Sequence, residues 1–263
     1  MTAKRISYDV PGLRAGLQVL RVLCEAPRPL GQTELCQASG LNKHMVYRCL
    51  QTLLAEGMIV ETGESPKYEP SLLAFYYFSL PVSRMTVTRA AAEPLRALWE
   101  DLNECVYLGV LDEDRILYLI HHEGGRAIRS GGGRMGGRYC LHADGAGKVL
   151  AAYANDALRE RLLAAGLEKL SKHTHTGRKG FLAEMAHIRR QGFAVDREEY
   201  IPGVICFGAP VFNHAGAVVG AICCSVLTIH YSLADLESQI GPKVLETARR
   251  ISATMGWAGQ KGC

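Results

Sequence analysis

The sequence lacks two features that would place the protein in or across a membrane. No stretch contains the roughly 18 or more uninterrupted apolar residues that a membrane-spanning helix requires. The first residues, MTAKRISYDVPG, lack the apolar core of a secretory signal peptide. These absences predict a protein of the cytoplasm with no membrane partner.

The cysteines lack the spacing of a disulfide scaffold or of a metal site. There are nine of them, an odd number, scattered along a long chain with no CxxC pair, and only Cys223 and Cys224 are adjacent. Such usage is typical of reduced thiols in a cytoplasm. We therefore expect no disulfide framework and no metal.

What the sequence does have is enough apolar material for a substantial core. Of its 263 residues, 48% are hydrophobic, and the formal net charge is only +4. This length suits one large domain or two smaller ones. The mild positive charge permits an anionic partner without requiring one.

The N-terminal part has the element order of a winged helix-turn-helix. A first helix is predicted in residues 11–30, where prolines end it. Its apolar face follows helical spacing at Leu13, Leu17, Leu20 and Cys24. Residues 33–39 and 42–56 predict two further helices, with Asn42 as the N-cap of the second. The stretch MIVETGESPKYEP then predicts a hairpin.

The outer side of the third predicted helix has the chemistry of a DNA-reading surface. Opposite its apolar face lie side chains that can bind phosphates and base edges in a major groove: Asn42, Lys43, His44, Tyr47, Arg48 and Gln51. No acidic residue lies between Cys36 and Leu54, so the helix is locally cationic. Lys67 and Ser65 lie in the hairpin, where a wing would contact the DNA backbone. The alternative is a solvated helix face with no partner.

The second half alternates between strands and helices. Residues 71–104 are predicted to be helical with interruptions at Pro81 and Pro94, which suits a connection between domains. VYLGVLDEDRILYLIHH predicts a hairpin, and two later strands flank a turn at residues 213–216. Helices are predicted over residues 147–154, 156–165 and 182–192, and one long helix over residues 234–256. A mixed sheet with helices on its faces predicts an α+β sensor-like domain.

A glycine-rich segment, RSGGGRMGGRYCLHADGAGKVL at residues 129–150, suggests at first a nucleotide site. A phosphate-binding loop needs GxxxxGK[ST], so that amides wrap the phosphates and a hydroxyl holds magnesium. Here His142 stands where the first glycine belongs, and Val149 stands where the hydroxyl belongs. The segment therefore fails as a nucleotide site, and no cofactor is indicated. The glycine run at residues 131–137 predicts a loop, which either covers a site or has no role.

The end of this segment suits a small-ligand site at a helix N-terminus. Asp144 is placed to cap an apolar helix, and Gly145 and Ala146 would present backbone amides in its first turn. Such amides attract carboxylates. If Asp144 also faced the ligand in its ionised form, it would repel an acid and favour hydroxyl, amine or amide donors.

Four blocks in the same order resemble the IclR family of bacterial transcriptional regulators. They are GLQVLRVLCEAPRPLGQTELCQASGLNKHMVYRCLQTLLAEGMIV, LHADGAGKVLAA, GFAVDREEYIPGVICFGAPVF and ETARRIS. The resemblance implies an α+β chain with a winged helix-turn-helix, a dimerising helical linker and a GAF-like α/β effector-binding domain. We place these at residues 1–70, 71–92 and 93–263. It further implies a repressor that forms homodimers or homotetramers, binds operator DNA and responds to a small organic or aromatic acid.

The resemblance also assigns positions to an effector site. Gly145 and Ala146 match the family's ligand-contacting turn, and the opposite wall corresponds to Asp196, Val204, Cys206, Cys223 and Ser225. Tyr139, at the end of the glycine run, is expected to form a further wall. Asp144 departs from the family, which usually has a small hydroxyl residue there. The recognition helix also departs, since it begins Asn-Lys-His-Met rather than with a Pro-Lys-Ser-Thr-like run.

Two alternatives come from other functional classes. Cys206 and His142 could form the nucleophile and base of a cysteine-dependent hydrolase or transferase, although no nucleophile elbow or third member accompanies them. Alternatively, the C-terminal half could be an oligomerisation module that binds no ligand. A DNA-binding regulator that is not an enzyme is the hypothesis that the sequence favours.

Overall fold

The protein forms two compact units, Met1–Ser83 and Arg84–Cys263. The computed structural model describes residues 10–63, 65–84, 86–126 and 133–259. The N-terminal residues 1–9 and part of the predicted glycine loop, residues 131–132, lie outside the described residues. Within the described part of the chain, no helix is both long and apolar enough to cross a membrane.

The N-terminal unit is a winged helix-turn-helix, which confirms the predicted fold. Its helices are α1 (Pro11–Glu25), α2 (Gln32–Ser39) and α3 (Lys43–Ala55). Its antiparallel sheet has the order β1–β3–β2, with β1 (Leu30–Gly31), β2 (Ile59–Thr62) and β3 (Lys67–Pro70). Gly40 ends α2 with a φ of 69°, a left-handed conformation that favours glycine and turns the chain toward α3.

The buried face of α1 differs from the predicted one. Leu13 and Leu17 are 61% and 58% exposed, and Cys24 is exposed as well. The buried residues are Ala15, Val19, Leu20 and Leu23. Apolar residues surround more than one side of this helix, so helical spacing alone does not select the stripe that packs against α2 and α3.

Two helices follow the wing, α4 (Leu72–Arg84) and α5 (Thr86–Leu102). The predicted interruptions at Pro81 and Pro94 are wrong, because both residues lie inside these helices. A proline inside a helix removes a backbone hydrogen bond and costs about 3 kcal/mol. In α5, burial of one apolar face offsets that cost. This face consists of Val87, Ala91, Leu95 and Leu98.

The C-terminal unit contains a six-stranded sheet. Its strands are β4 (Cys105–Asp112), β5 (Arg115–His122), β6 (Arg138–Cys140), β7 (Ala194–Arg197), β8 (Val204–Phe212) and β9 (Val218–Leu227). The strand order is β6–β5–β4–β9–β8–β7, and every neighbouring pair is antiparallel. The expectation of a mixed sheet is wrong, because β4–β5 and β8–β9 pair as hairpins rather than through helical crossovers.

Helices cover both faces of this sheet. They are α6 (Gly145–Tyr153), α7 (Asp156–Ala165), α8 (Arg178–Gln191), α9 (Leu233–Asp235) and α10 (Gly241–Thr254). Gly145 of α6 approaches Cys206 and Gly208 of β8, whereas Gly241 of α10 approaches the intervening Phe207. Because successive strand residues point to opposite faces, α6 and α10 lie on opposite sides of the sheet.

The single closing helix predicted over residues 234–256 is divided. The short α9 continues into a π-helical turn, Leu236–Ile240, before α10 begins. Pro242 in the first turn of α10 has no N–H to donate to the carbonyl four residues earlier, so the regular α-helical bonding is interrupted there.

The strands β1 and β6 were not predicted from the sequence, because two or three residues are too few to show alternation.

Candidate functional site

The outward side of α3 carries the side chains that were predicted to read DNA. Val46, Cys49 and Leu50 are buried in the core of the unit. The exposed side chains are Lys43, His44, Tyr47, Arg48 and Gln51. Since α3 contains no acidic residue, its exposed side is cationic. This arrangement suits contact with a polyanion.

The start of α3 is fixed by its N-cap, Asn42. Its Oδ1 accepts the N–H of Met45 at 2.9 Å, which confirms the predicted cap. The amide nitrogen of Asn42 takes no part in this cap and can still donate in the predicted contact with DNA. The Gln32 side chain also donates to the carbonyl oxygen of Lys43 at 3.0 Å, which ties α2 to α3. These two bonds determine which residues of α3 face outward.

The hairpin that follows α3 places a second cation on the surface of the unit. Lys67 begins β3, where it pairs with Thr62 of β2 and Gly31 of β1, and its side chain is exposed. Ser65, in the turn before it, is exposed as well. The wing therefore offers a lysine and a hydroxyl of the kind that contacts DNA phosphates.

A small cavity lies on the α6 face of the C-terminal sheet. Its volume is about 10 Å³, which is room for about one water molecule. The lining residues are Tyr107, Tyr118, Gly133, Tyr139, Asp144, Tyr200, Ile201, Val204, Cys206 and Ser225. A ligand larger than water therefore requires the walls to move.

Five of the nine predicted effector positions border this cavity: Tyr139, Asp144, Val204, Cys206 and Ser225. The others do not border it: Gly145, Ala146, Asp196 and Cys223. Gly145 packs directly on β8, since a Cβ there would lie 3.2 Å from the Cβ of Cys206. Five further residues border the cavity and were not predicted from the sequence: Tyr107, Tyr118, Gly133, Tyr200 and Ile201. A tyrosine hydroxyl within an otherwise apolar strand, as at Tyr107 and Tyr118, is the feature that points to such a site.

Asp144 both caps α6 and borders the cavity. Its Oδ1 accepts the N–H of Gly147 at 2.7 Å, and its Oδ2 accepts the Tyr118 hydroxyl at 2.8 Å. Burial raises the pKa of Asp144, while the amides of Gly147 and Ala146 and the Tyr118 hydroxyl oppose that rise. The Asp144 carboxylate therefore occupies the amide of Gly147, and the ligand contacts expected for Gly145 and Ala146 stay predictions.

A row of directly paired residues crosses four strands next to the cavity. Asp196 pairs with Cys206, Cys206 with Ser225, and Ser225 with Cys105. The Cys206 sulfur and the Ser225 hydroxyl oxygen are 2.9 Å apart. Paired residues in antiparallel strands share a face, so Asp196 lies on the same side of the sheet as the cavity.

Asp196 organises the loop that carries one wall of the cavity. Its Oδ1 accepts the N–H groups of Glu199 at 2.6 Å and of Tyr200 at 3.4 Å. Its Oδ2 is buried and has no hydrogen-bond partner among the described residues. Burial raises the pKa of Asp196 to about 7. Although it does not line the cavity, Asp196 therefore positions Tyr200.

The lysine of the GK pair, Lys148, is a buried cross-link between elements. Its Nζ donates to the Glu199 carboxylate at 2.6 Å, to the Glu184 carboxylate at 3.1 Å and to the Val195 carbonyl oxygen at 2.7 Å. The side chain is fully buried. These bonds join α6 to α8 and to the loop after β7, so the lysine has a structural role rather than that of a phosphate ligand.

Glycines of the glycine-rich segment lie against tyrosine rings. A Cβ at Gly133 would lie 2.9 Å from the Tyr107 ring and 3.0 Å from the Tyr118 ring. A Cβ at Gly137 would overlap the ring of Tyr139. The described part of this segment therefore uses glycine so that backbone can pack on aromatic rings.

The thiol and the imidazole considered as a catalytic pair have separate partners. Burial raises the pKa of the Cys206 thiol well above its usual value, and Cys206 contacts Ser225. A ring nitrogen of His142 lies 2.8 Å from the Glu168 carbonyl oxygen, and burial lowers the pKa of His142. A neutral thiol without an adjacent base is a poor nucleophile.

Two family models match the chain. The model described as "IclR helix-turn-helix domain" matches residues 13–63. The model described as "Bacterial transcriptional regulator IclR C-terminal" matches residues 80–253.

Full-length relatives show the same pattern. The HTH-type transcriptional regulator KdgR of Escherichia coli (strain K12) is 32% identical over 241 residues, which cover 91% of this chain and 90% of KdgR. The transcriptional repressor IclR of the same strain is 26% identical over 250 residues, with coverages of 94% and 91%. A crystal structure of an IclR homologue from Microbacterium hydrocarbonoxydans, complexed with 4-hydroxybenzoate, matches with a TM-score of 0.83 at 17% identity. It covers 93% of this chain and 98% of that one, and at this identity the likeness is one of fold.

Proposed function

The chain belongs to the IclR family of bacterial transcriptional regulators, and from this premise we propose that α3 reads operator DNA while the cavity of the C-terminal unit senses a small molecule. The observation that carries the proposal is the exposed, acid-free side of α3. This side presents Lys43, Tyr47 and Arg48, and the N-cap at Asn42 fixes the start of the helix that carries them. We infer that the protein acts in the cytoplasm, where its free thiols would stay reduced.

The winged helix-turn-helix determines how DNA would be bound. Recognition helices of this class lie in the major groove, and a dimer places two of them on half-sites about 10 base pairs apart or a multiple of that. Lys43, His44, Arg48 and Gln51 would meet base edges and phosphates, while Lys67 would meet the backbone from the wing. Asn42 would contribute through its amide nitrogen.

Assembly into a homodimer, or a homotetramer made of two dimers, is supported by the surface of α4. Several large apolar side chains of this helix are more than half exposed: Leu72, Phe75, Tyr76, Tyr77 and Phe78. An apolar surface of this kind marks an interaction site. A repressor mode is supported by the name of the relative that is 26% identical.

The effector would act by stabilising one of two arrangements of the protein. A ligand changes DNA affinity only through its different affinity for the two states, typically by 5–150-fold. The cavity provides aromatic, thiol, hydroxyl and carboxylate groups around a space that must open for a ligand. The fold relative bound to 4-hydroxybenzoate supports an aromatic acid as one candidate, in line with the expectation from sequence.

The test begins with selection of preferred sequences from a random double-stranded DNA library. Fluorescence anisotropy on the selected duplex then compares Lys43→Ala and Arg48→Ala with wild type, and both are expected to lose about 1–3 kcal/mol of binding free energy. Lys67→Ala is expected to reduce the slope of log affinity against log salt by about 1. Arg161→Ala, which removes an exposed arginine of the C-terminal unit, is the charge-matched control.

Two results would contradict the proposal. If Arg48→Ala bound the selected duplex as tightly as Arg161→Ala, α3 would not be the reading helix. If no duplex were enriched over random DNA, the protein would not be a sequence-specific regulator. Ligand-induced thermal stabilisation should be the same in Arg48→Ala as in wild type, because Arg48 lies in the N-terminal unit and the cavity lies in the C-terminal unit.

A further inference from the structure

Four tyrosine rings follow one another around the cavity. We call Tyr107, Tyr118, Tyr139 and Tyr200 the tyrosine cage. The ring centroids are 4.9 Å apart for the first pair, 5.4 Å for the second and 6.3 Å for the third. All four residues line the cavity. Aromatic rings converging on one space are the known means by which proteins hold ammonium and methylated ammonium groups.

The cage lies beside a carboxyl group, that of Asp144, which has no ion-pair partner among the described residues. Asp144 borders the cavity, and Asp196 lies beside it, and neither forms an ion pair among the described residues. Lys148 is the cation that acts on both, but its ammonium is already bonded to Glu199 and Glu184. The ammonium of Lys148 is therefore not available to pair with Asp144, and a cationic ligand in the cavity would provide that partner.

We propose that the effector of this protein is a small organic cation, an ammonium or methylated ammonium compound, held by the tyrosine cage and the carboxylate of Asp144. This inference rests on the proposed function, since it takes the cavity to be the effector site, and it specifies the chemical class of the ligand. The π faces of the rings attract the cationic head, and Asp144 supplies its counter-charge in a place where water is excluded.

An acid fits the same space poorly. A carboxylate in the cavity would lie beside Asp144, and like charges repel strongly when both are buried. The amide of Gly147 in the first turn of α6, which would otherwise attract an anion, already donates to Asp144. With a carboxyl group at position 144, the cavity therefore favours a cationic ligand over an anionic one.

Entry of the ligand requires the outer wall to move. Tyr139, Tyr200 and Ile201 are partly exposed, whereas Tyr107 and Tyr118 are buried, so the cavity opens on the side of the first three. The Tyr139 hydroxyl accepts the N–H of Arg134 at 2.9 Å. A bound cation would therefore exchange this bond for contacts with the cage, and occupancy would be coupled to the position of the outer wall.

The experiment uses the purified full-length protein, isothermal titration calorimetry and thermal unfolding at constant ionic strength. The probes are choline, tetramethylammonium, the neutral choline isostere 3,3-dimethylbutan-1-ol, and 4-hydroxybenzoate. Choline is expected to bind at least about tenfold more tightly than its neutral isostere, because only the charge distinguishes them. Either ammonium probe should also change affinity for the selected duplex by about 5–150-fold.

Variants separate the charge from the rings. Asp144→Asn keeps a residue that caps helices equally well but removes the charge, so the preference for choline over the isostere should disappear. Tyr139→Leu, at the partly exposed wall, should weaken both ammonium probes about tenfold without affecting the fold. Asp101→Asn, which neutralises an exposed carboxylate outside the cavity, should behave as wild type.

The outcomes divide cleanly between the inference and the proposed function. Equal binding of choline and its isostere, binding of 4-hydroxybenzoate alone, binding of no probe, or an unchanged preference in Asp144→Asn would each overturn the cationic effector. None of these results affects sequence-specific DNA binding through α3, which is measured separately on the selected duplex. Loss of that binding would overturn the proposed function, whatever the cavity binds.

Discussion

Replacement of Asp196 by asparagine is expected to stabilise the C-terminal unit at neutral and alkaline pH. The Oδ1 of an asparagine can accept the same N–H groups, those of Glu199 and Tyr200, that the carboxylate accepts. The substitution removes charge from a fully buried side chain whose Oδ2 has no hydrogen-bond partner among the described residues. A buried charge without such partners lowers the free energy of unfolding.

The size and direction of the effect follow from the pKa of Asp196. Burial raises this pKa from 3.8 to about 7, so between these values the native state holds more protons than the unfolded chain. Stability therefore falls as the pH rises through this window, and the loss is complete above it. At about 1.4 kcal/mol per pKa unit, the loss in wild type reaches about 4 kcal/mol as an upper value. Asp196→Asn escapes this loss.

Thermal unfolding of both proteins at equal concentration, from about pH 4.5 to about pH 8.5, measures the difference. The melting midpoints should nearly coincide at the acid end. At the alkaline end Asp196→Asn should melt several degrees higher, at about 2–4 °C per kcal/mol. Asp101→Asn, at an exposed position, should show no such growth with pH. A constant offset at every pH, or a lower midpoint for Asp196→Asn at pH 8, would refute the reasoning.

Three further predictions test packing, capping and thiol reactivity. Gly208→Ala should destabilise the C-terminal unit by about 1–3 kcal/mol in urea unfolding, because its Cβ would lie 2.6 Å from the carbonyl carbon of Gly145. Gly16→Ala, whose Cβ would meet nothing within 4 Å, should instead stabilise its helix by about 0.5–1 kcal/mol. Equal effects of the two substitutions would contradict the close packing at Gly208. Asn42→Ala should cost the N-terminal unit about 1 kcal/mol, whereas Asn42→Asp should be nearly neutral; a similar loss in both would speak against the cap. Iodoacetamide at neutral pH should leave Cys206 unmodified in the folded protein and modify it in urea, because burial raises its pKa; rapid alkylation of the folded protein would be inconsistent with this burial.

The sequence predicted best what depends on a few neighbouring residues. Asn42 and Asp144 were recognised as N-caps, and both accept the N–H three residues later, because a cap is complete within one turn. The hairpins and most helices also follow from local periodicity and turn residues. The order of these elements placed a winged helix-turn-helix before an α+β unit, and the family resemblance implied the same order.

The sequence could not show which distant residues meet. Tyr107, Tyr139 and Tyr200 come from separate strands and a loop, and only the register of the sheet brings them to one cavity. Lys148 looked like part of a phosphate motif, whereas its partners Glu184 and Glu199 lie 36 and 51 residues further along the chain. The orientation of α1 failed for a related reason, since its buried stripe is chosen by α2 and α3 rather than by its own sequence.

The outer wall of the cavity also connects the two edges of the sheet. Tyr139 belongs to β6 and Tyr200 follows β7, which are the first and last strands in the order, yet their ring centroids are only 6.3 Å apart. At this point the residues that follow one edge of the curled sheet therefore meet the other edge through an aromatic contact instead of backbone hydrogen bonds. A ligand between these rings would push the two edges of the sheet apart and change the curvature of the strands between them. Helices α5 and α10 pack on the opposite face of the sheet. A change in the curvature of the sheet would therefore move these helices, and ligand binding in the cavity would alter the surface of this unit.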